Sequence, residues 1–338
     1  MTRVEKYIIF IMFCGCFLES YAQDVDWKSY FVTPEMFGCK SDDIAAADSN
    51  AKGLQEAINY AGIHGVTLIS SAGKVYYIGK GIVVSDFINI DLGRATLVAT
   101  KSMRMLTVRS GRPGQWAGCI RNFRLDMNNQ AEYGIYCENA MKLRFTDGEI
   151  VNIGQNAIGL CMMKGYELFI DNIHFNGSQV QSTGIMMRTS DCHISDCVMI
   201  NCHTAVDNRG SNFYCRIHAW MTSKYLKGSV FFRTKGGPVY LLQCFGDTFD
   251  LIFDIVDVSK LHISQFRLFH NVVMWKKPYD DIAPELFHYA SQAVADKSKI
   301  KLIDSNIGGL IIKNKNYQRR SNVVDKVEVI GTEFFGDL

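Results

Sequence analysis

From residue 120 onward the chain carries a recurring unit, an apolar residue followed two places later by a turn. The apolar positions are Ile120, Phe145, Ile170, Ile194, Cys215, Leu242, Ile263, Ile303 and Ile330, at intervals of 25, 25, 24, 21, 27, 21, 40 and 27 residues. A period in this range means stacked supersecondary units, none of which can bury its apolar face alone. The runs between the turns alternate with period two, which excludes helical repeats. The regular Leu and Asn spacing of leucine-rich repeats is absent. A β-solenoid remains. The turn positions are Asn122, Asp147, Asn172 and Asp196, then Cys244, Gln265, Ser305 and Thr332. Asn and Asp tolerate the left-handed backbone that a tight bend requires. Stacked on consecutive coils, their side chains can also form a hydrogen-bonded ladder. At Cys215 the same register puts Ile217 at the turn, a misfit.

Upstream of the repeat lies one strong helix signal. Ser49 can cap it, Leu54, Ala57, Ile58 and Ala61 form one apolar stripe, and Gly62 and Gly65 stop it. Short β-rich runs follow at Val66 to Ile69, Val75 to Ile78, Ile88 to Ile90 and Ala95 to Leu97. At the N-terminus, Arg3 and Lys6 precede an apolar run from Tyr7 to Leu18, then a small-residue approach to Ala22. This reads as a signal peptide cleaved before Gln23, too short to span a bilayer. Lipidation at Cys16 is the alternative. We expect residues 1–22 to be the leader and 23–338 a single domain, with cap and first coils over 23–115 and regular coils over 116–338. The long interval holds a loop insertion near 271–285 that includes Trp275, a candidate wall of a binding cleft. The net charge of +2 gives no reason to expect nucleic-acid binding, and no second apolar run suggests a membrane span.

The run from Thr33 to Asp43 (TPEMFGCKSDD), the helix after it, and the strands opening at Gly65 and Ala72 resemble the opening of the pectate lyase-like superfamily, of the rhamnogalacturonase/epimerase type. Phage tailspike β-helix domains share this opening. Here the family's Gly-Asp-Gly is replaced by Ser41, Asp42 and Asp43. The resemblance implies an all-β fold, a right-handed parallel β-helix with an N-terminal capping helix, and a carbohydrate substrate. It does not fix the reaction.

In such folds the cleft runs along the outer face of one parallel sheet. We assign this sheet to the strands opening at Gly134, Ala157, Gly184, Ala205 and Ser229. With side chains alternating, the expected outward layers are Tyr136, Gly159, Met186, Asp207 and Phe231, and then Glu138, Cys161, Arg188, Arg209 and Arg233. Three arginines on consecutive coils call for an anion, which the carboxylates of an acidic polysaccharide would supply through bidentate guanidinium contacts. The alternative is a solvated face with Asp207 neutralising part of it. His203 is the candidate general base, against a hydrogen-bonded loop histidine. Glu138 and Asp207 stand three coils apart, too far for a hydrolytic pair. Asp147, Asp171 and Asp196 read as turn residues.

Catalytic candidates are therefore His203, Arg209 and Asp207. Substrate-binding candidates are Arg188, Arg233, Glu138, Tyr136, Phe231 and Trp275. The favoured activity is β-elimination on an acidic polysaccharide by a polysaccharide lyase. Non-catalytic glycan binding and glycoside hydrolysis are the alternatives. Nine cysteines follow the leader, an odd number that forbids complete internal pairing. Buried thiols are favoured, with a disulfide among Cys192, Cys197 and Cys202 as the alternative. No cofactor motif or metal-site spacing is present. The sequence leaves open whether Ca2+ takes part and what the oligomeric state is.

Overall fold

The repeat closes into three faces because each coil lays strand residues on three successive sides and bends between them. The structure, a computed structural model, describes residues 30–85, 88–109, 118–222, 226–268, 285–311 and 327–336. The expected signal peptide over residues 1–22, Trp275 and nearly all of the insertion expected near 271–285 lie outside these residues. Among the described residues the strand pairings are parallel and link equivalent positions of successive coils, giving a right-handed β-solenoid of about nine turns.

The first face stacks Arg104–Arg109, Tyr133–Met141, Ile158–Met162, Thr183–Met187, Thr204–Asn208, Val230–Lys235, Leu251–Asp257 and Glu285–Tyr289. Its inward column is Leu106, Ile135, Leu160, Ile185, Val206, Phe232, Phe253 and Phe287 in register. The second face contributes Ile120, Phe145, Ile170, Ile194, Tyr214, Leu241, Ile263 and Leu302. The third contributes Leu125, Ile150, Phe175, Met199 and Ala219. All of these are buried. Each large apolar side chain removed from water contributes about 1.5–3 kcal/mol, so the stacked columns hold the coils together.

The second face turns into the third at a left-handed residue in every coil. Asn122, Asp147, Asn172, Asp196, Arg216, Gln243, Gln265 and Asp304 have φ between 46° and 55°, and Gly331 has φ 58°. The expected register is therefore right through Asp196 and at Gln265. It is one residue late at Cys215, Leu242, Ile303 and Ile330, whose places belong to Tyr214, Leu241, Leu302 and Val329. Arg216, Gln243, Asp304 and Gly331 thus occupy the bend in place of Ile217, Cys244, Ser305 and Thr332. At each of these coils two adjacent apolar residues offer an anchor, and two of the four bends hold Arg and Gln, which carry no strong turn signal. The ladder forms in pairs. Asn172 Nδ2 donates to Asp147 Oδ1 at 2.8 Å, Asn122 Nδ2 to Asp91 Oδ1 at 2.9 Å, and Gln243 Nε2 to Gln265 Oε1 at 2.9 Å.

Helix α1 spans Ala47–His64 and ends at Gly65, whose φ of 67° is left-handed. It begins two residues earlier than expected and runs through Gly62. Ser49 lies inside the first turn and donates to Ala46 O. Leu54, Ala57, Ile58 and Ala61 are buried, as the stripe requires. The helix also completes a strand edge: Gln55 Nε2 donates to Val83 O at 2.8 Å, and Gln55 Oε1 accepts from Val83 N at 2.7 Å. A second, short helix, Gln292–Lys297, lies between strands near the C-terminal end.

Candidate functional site on the outer first face

Each first-face strand opens with two successive buried residues before alternation resumes. Gly134 and Ile135 are both buried, as are Phe231 and Phe232. This irregularity shifts the outward register of two coils relative to simple alternation. The outward column is Thr107, Tyr136, Cys161, Met186, Asp207, Arg233, Asp254 and His288. Phe231 is thereby removed from the outer surface. It lies in the core against Phe249, Phe253 and Phe266. Gly159 is likewise inward, where an added Cβ would meet Phe175 at 2.8 Å.

Arg233 consequently does not stack on Arg209. It sits opposite Asp207 on one side and Asp254 on the other. Arg209 grips Asp207 with Nη2 to Oδ2 at 2.8 Å and Nε to Oδ1 at 3.3 Å. Arg233 Nε donates to Asp254 Oδ2 at 2.7 Å. Asp207 is only 4% exposed and Asp254 only 6%, so both carboxylates are held almost dry by guanidinium partners. Asp207 also raises the Arg209 pKa, first through that hydrogen bond, so the guanidinium stays charged.

Three consecutive cations nevertheless form. Arg188, Arg209 and Lys235 directly follow Met187, Asn208 and Thr234, which are mutually in register. Lys235 takes the place the sequence reading gave to Arg233. Arg188 is exposed, and among the described residues neither it nor Lys235 has an ion-pair partner. At the N-terminal end of the face, Glu138 pairs with Arg109 at 2.6 Å and Arg104 at 3.4 Å. The Arg104 guanidinium carbon lies 3.7 Å from the Tyr136 ring centroid, and Tyr136 meets Tyr133 edge-on at 4.9 Å.

His203 lies at the opposite end of the strand Thr204–Asn208 from Arg209. Six residues of extended chain separate them, about 20 Å at ~3.3 Å per residue. Its Nε2 is 3.2 Å from Lys227 O and its Nδ1 3.5 Å from Thr204 Oγ1. Burial lowers its pKa, and the Arg233 charge adds to that, while the bond to Lys227 O opposes it. The imidazole is therefore neutral at pH 7. His203, Asp207 and Arg209 share a strand but do not converge on one point.

The remaining candidates have structural places. Asp147 and Asp196 occupy left-handed bends, and Asp171 accepts from Ser195 Oγ at 2.6 Å. All nine described cysteines are free. Burial pushes Cys197, Cys202 and Cys244 up to about 12. Among the described residues no group of three or more His, Cys, Asp or Glu is arranged to hold a metal ion, and no helix is long and apolar enough to cross a membrane.

Sequence reasoning missed the outer surfaces of the other two faces. On the second, Arg144, Phe169, His193, Phe213, Tyr240 and His262 form one column. Phe169 and His193 stack at 5.5 Å, and Tyr240 and His262 at 5.0 Å. The signal was available, because each of these residues immediately precedes a core anchor.

No family model and no curated protein matches the chain. Solved structures do. An endo-xylogalacturonan hydrolase from Aspergillus tubingensis superposes with a TM-score of 0.59 at 10% identity, covering 90% of this chain and 93% of that one. A tailspike of an Acinetobacter phage gives 0.53 at 12% identity, covering 82% of this chain and 51% of that one. The chain shares a right-handed parallel β-helix fold with these two proteins. At these identities the likeness concerns architecture, so the chemistry of this β-helix has to be read from its own side chains.

Proposed function

We propose that this protein binds an acidic polysaccharide along the C-terminal edge of the first-face strands. The observation that carries the reading is the run Arg188, Arg209 and Lys235 on consecutive coils, two of them without a carboxylate partner among the described residues. Neighbouring strands are about 4.8 Å apart. Like charges at that spacing repel, and an anionic polymer lying across the coils relieves them. Guanidinium groups favour planar carboxylates, which suits uronic acids. One of the similar solved structures is named as a hydrolase of xylogalacturonan, which fits a carbohydrate role. Export by residues 1–22 and a single domain from Gln23 onward belong to the same proposal, since such polymers lie outside the cell.

Turnover by β-elimination is the second reading. His203 favours it, because an imidazole held neutral by burial keeps a lone pair able to take a proton. Its distance from Arg209 argues against both acting on one sugar unit. Arg233, at the level of Asp207, is the nearer cation to stabilise charge on a carboxylate. Hydrolysis is less well served. Asp207 and Asp254 are two strands apart, about 9.6 Å at ~4.8 Å per strand, near the upper limit of roughly 9.5 Å for an inverting pair. Both are occupied by arginines.

The test incubates the mature protein with polygalacturonate, alginate and hyaluronan, against neutral polymers of similar size. Binding is measured at low and high salt, and products are assayed for new reducing ends and for ultraviolet absorbance of unsaturated uronides. The proposal expects salt-sensitive binding of at least one acidic polymer, weakened about tenfold in Arg188→Ala. No preference for acidic over neutral polymers at low salt overturns it. Unsaturated products that disappear in His203→Ala establish elimination.

A further inference from the structure

On the third face, the strand His218–Trp220 projects His218 and Trp220 outward while Ala219 between them is buried. Its register sets His218 between Val198 and Phe245, and Trp220 between Ile200 and Asp247. Val198, Ile200, His218, Trp220 and Phe245 are all half-buried, forming an apolar platform across three coils, centred on the indole. The His218 ring lies 4.5 Å from Trp220 and 5.4 Å from Phe245. Polar groups border it. His218 Nε2 is 3.2 Å from Asp247 Oδ2, and the Arg267 guanidinium lies 5.8 Å from the Phe245 centroid. Arg267 is exposed and has no ion-pair partner among the described residues, and the Trp220 indole N–H has no acceptor there.

We propose that this platform is a second saccharide-binding site, separate from the first face, that takes a neutral sugar. A sugar ring presents an apolar C–H face and an edge of hydroxyls. The Trp220 and Phe245 rings can cover the first, and Asp247, Arg267 and the indole N–H can bond the second. A half-buried Trp generally finds a partner for its N–H, and a ligand hydroxyl supplies one. Among the described residues the rim carries one carboxylate, Asp247, and one guanidinium, Arg267. An acidic sugar therefore gains no advantage here, unlike at the edge formed by Arg188, Arg209 and Lys235. The platform spans two strand spacings, about 10 Å. That suits one or two sugar units better than a protein partner, whose interface needs about 800 Å² per side.

The experiment titrates the mature protein with neutral tetrasaccharides of glucose, mannose and galactose, by calorimetry and by tryptophan fluorescence. At least one is expected to bind and to perturb the emission. Trp220→Ala and Arg267→Ala should each weaken that binding tenfold or more, leaving binding of acidic polymers at the first face unchanged. Trp220→Phe, which keeps most of the apolar packing, guards against misfolding and should lose less affinity. An unaltered melting temperature in Arg267→Ala makes its loss of binding a site effect. The proposal fails if no neutral tetrasaccharide binds at millimolar concentration. It also fails if Arg267→Ala and Trp220→Phe both bind like wild type, or if the platform proves to mediate self-association. Failure of the acidic-polymer reading shows separately, in the response to Arg188→Ala.

Discussion

Arg233 donates its Nε–H to Asp254 Oδ2 across 2.7 Å, on the outer surface of a sheet where both groups would otherwise be hydrated. The pair continues through the opposed Asp207 to Arg209, so positive and negative charges alternate along the coil stack. The carboxylate is the drier member, at 8% side-chain exposure against 31% for Arg233, so removing the cation strands a nearly dry charge. Arg233→Ala should lower stability by about 2–3 kcal/mol, measured as a shift of the denaturant midpoint at constant slope. An unchanged midpoint would mean that the carboxylate rehydrates freely.

Arg188 and Arg209 should separate binding from stability. Arg188→Ala removes an exposed cation with no ion-pair partner among the described residues, so the melting temperature should stay constant while acidic-polymer binding falls. Arg209→Ala also releases the buried Asp207, so it should both weaken binding and lower the melting temperature. Raising salt should erase most of the Arg188 effect, because exposed charge attraction is screened beyond about 8–10 Å at physiological ionic strength.

The bend at Asn172 combines φ 50° with a 2.8 Å bond to Asp147. Asn172→Leu loses both the bond and the ease of the left-handed conformation, and should cost about 1–3 kcal/mol. Asn172→Gly keeps the conformation and loses only the bond, so it should cost less. Equal losses in the two variants would assign the whole effect to the side-chain ladder.

Gly148 opens the third-face strand of its coil against the Phe123 ring. A Cβ there would meet the ring at 2.2 Å, and Phe123 is 1% exposed. Gly148→Ala should therefore destabilise by about 1–3 kcal/mol, as overpacking of a closed core does. Combining it with Phe123→Leu should restore part of the loss, which chemical denaturation can measure.

His203 gives the acid limb of the stability profile a sign. Its folded pKa lies below the ordinary 6.5, with burial the largest cause. The unfolded chain therefore takes up the proton first. Stability is full above about pH 6.5 and falls as pH drops from there toward the folded value. His203→Gln should flatten this part of the profile in denaturation series at stepped pH.

The fold was legible because its signals are local and repeated. An apolar anchor and a small polar bend residue recur from Ile120 through Asp196, where Asn and Asp advertise the left-handed turn. The register slipped at Arg216, Gln243 and Asp304 because adjacent apolar residues, such as Tyr214 and Cys215, offered two equally good anchors. The site was harder to read for a related reason. Strict alternation put Phe231 outside and Arg233 beside Arg209. The paired inward positions at the start of each first-face strand reverse that, and no composition signal marks them. The third-face cluster of His218, Trp220, Phe245 and Asp247 draws on two coils and becomes visible only once their registers are known.

The column of left-handed bends has a consequence for how such a chain changes in length. Gly148 is paired with Ile173, directly above it in the stack, so excising residues 148–172 would join Asp147 to a residue already in the right place. Loss of a single residue inside a strand would instead reverse the inward and outward positions as far as the next bend. Growth and shrinkage by whole coils are thus the steps this architecture absorbs most easily. A lineage built on it can lengthen or shorten its outer surfaces one rung at a time without redesigning the interior.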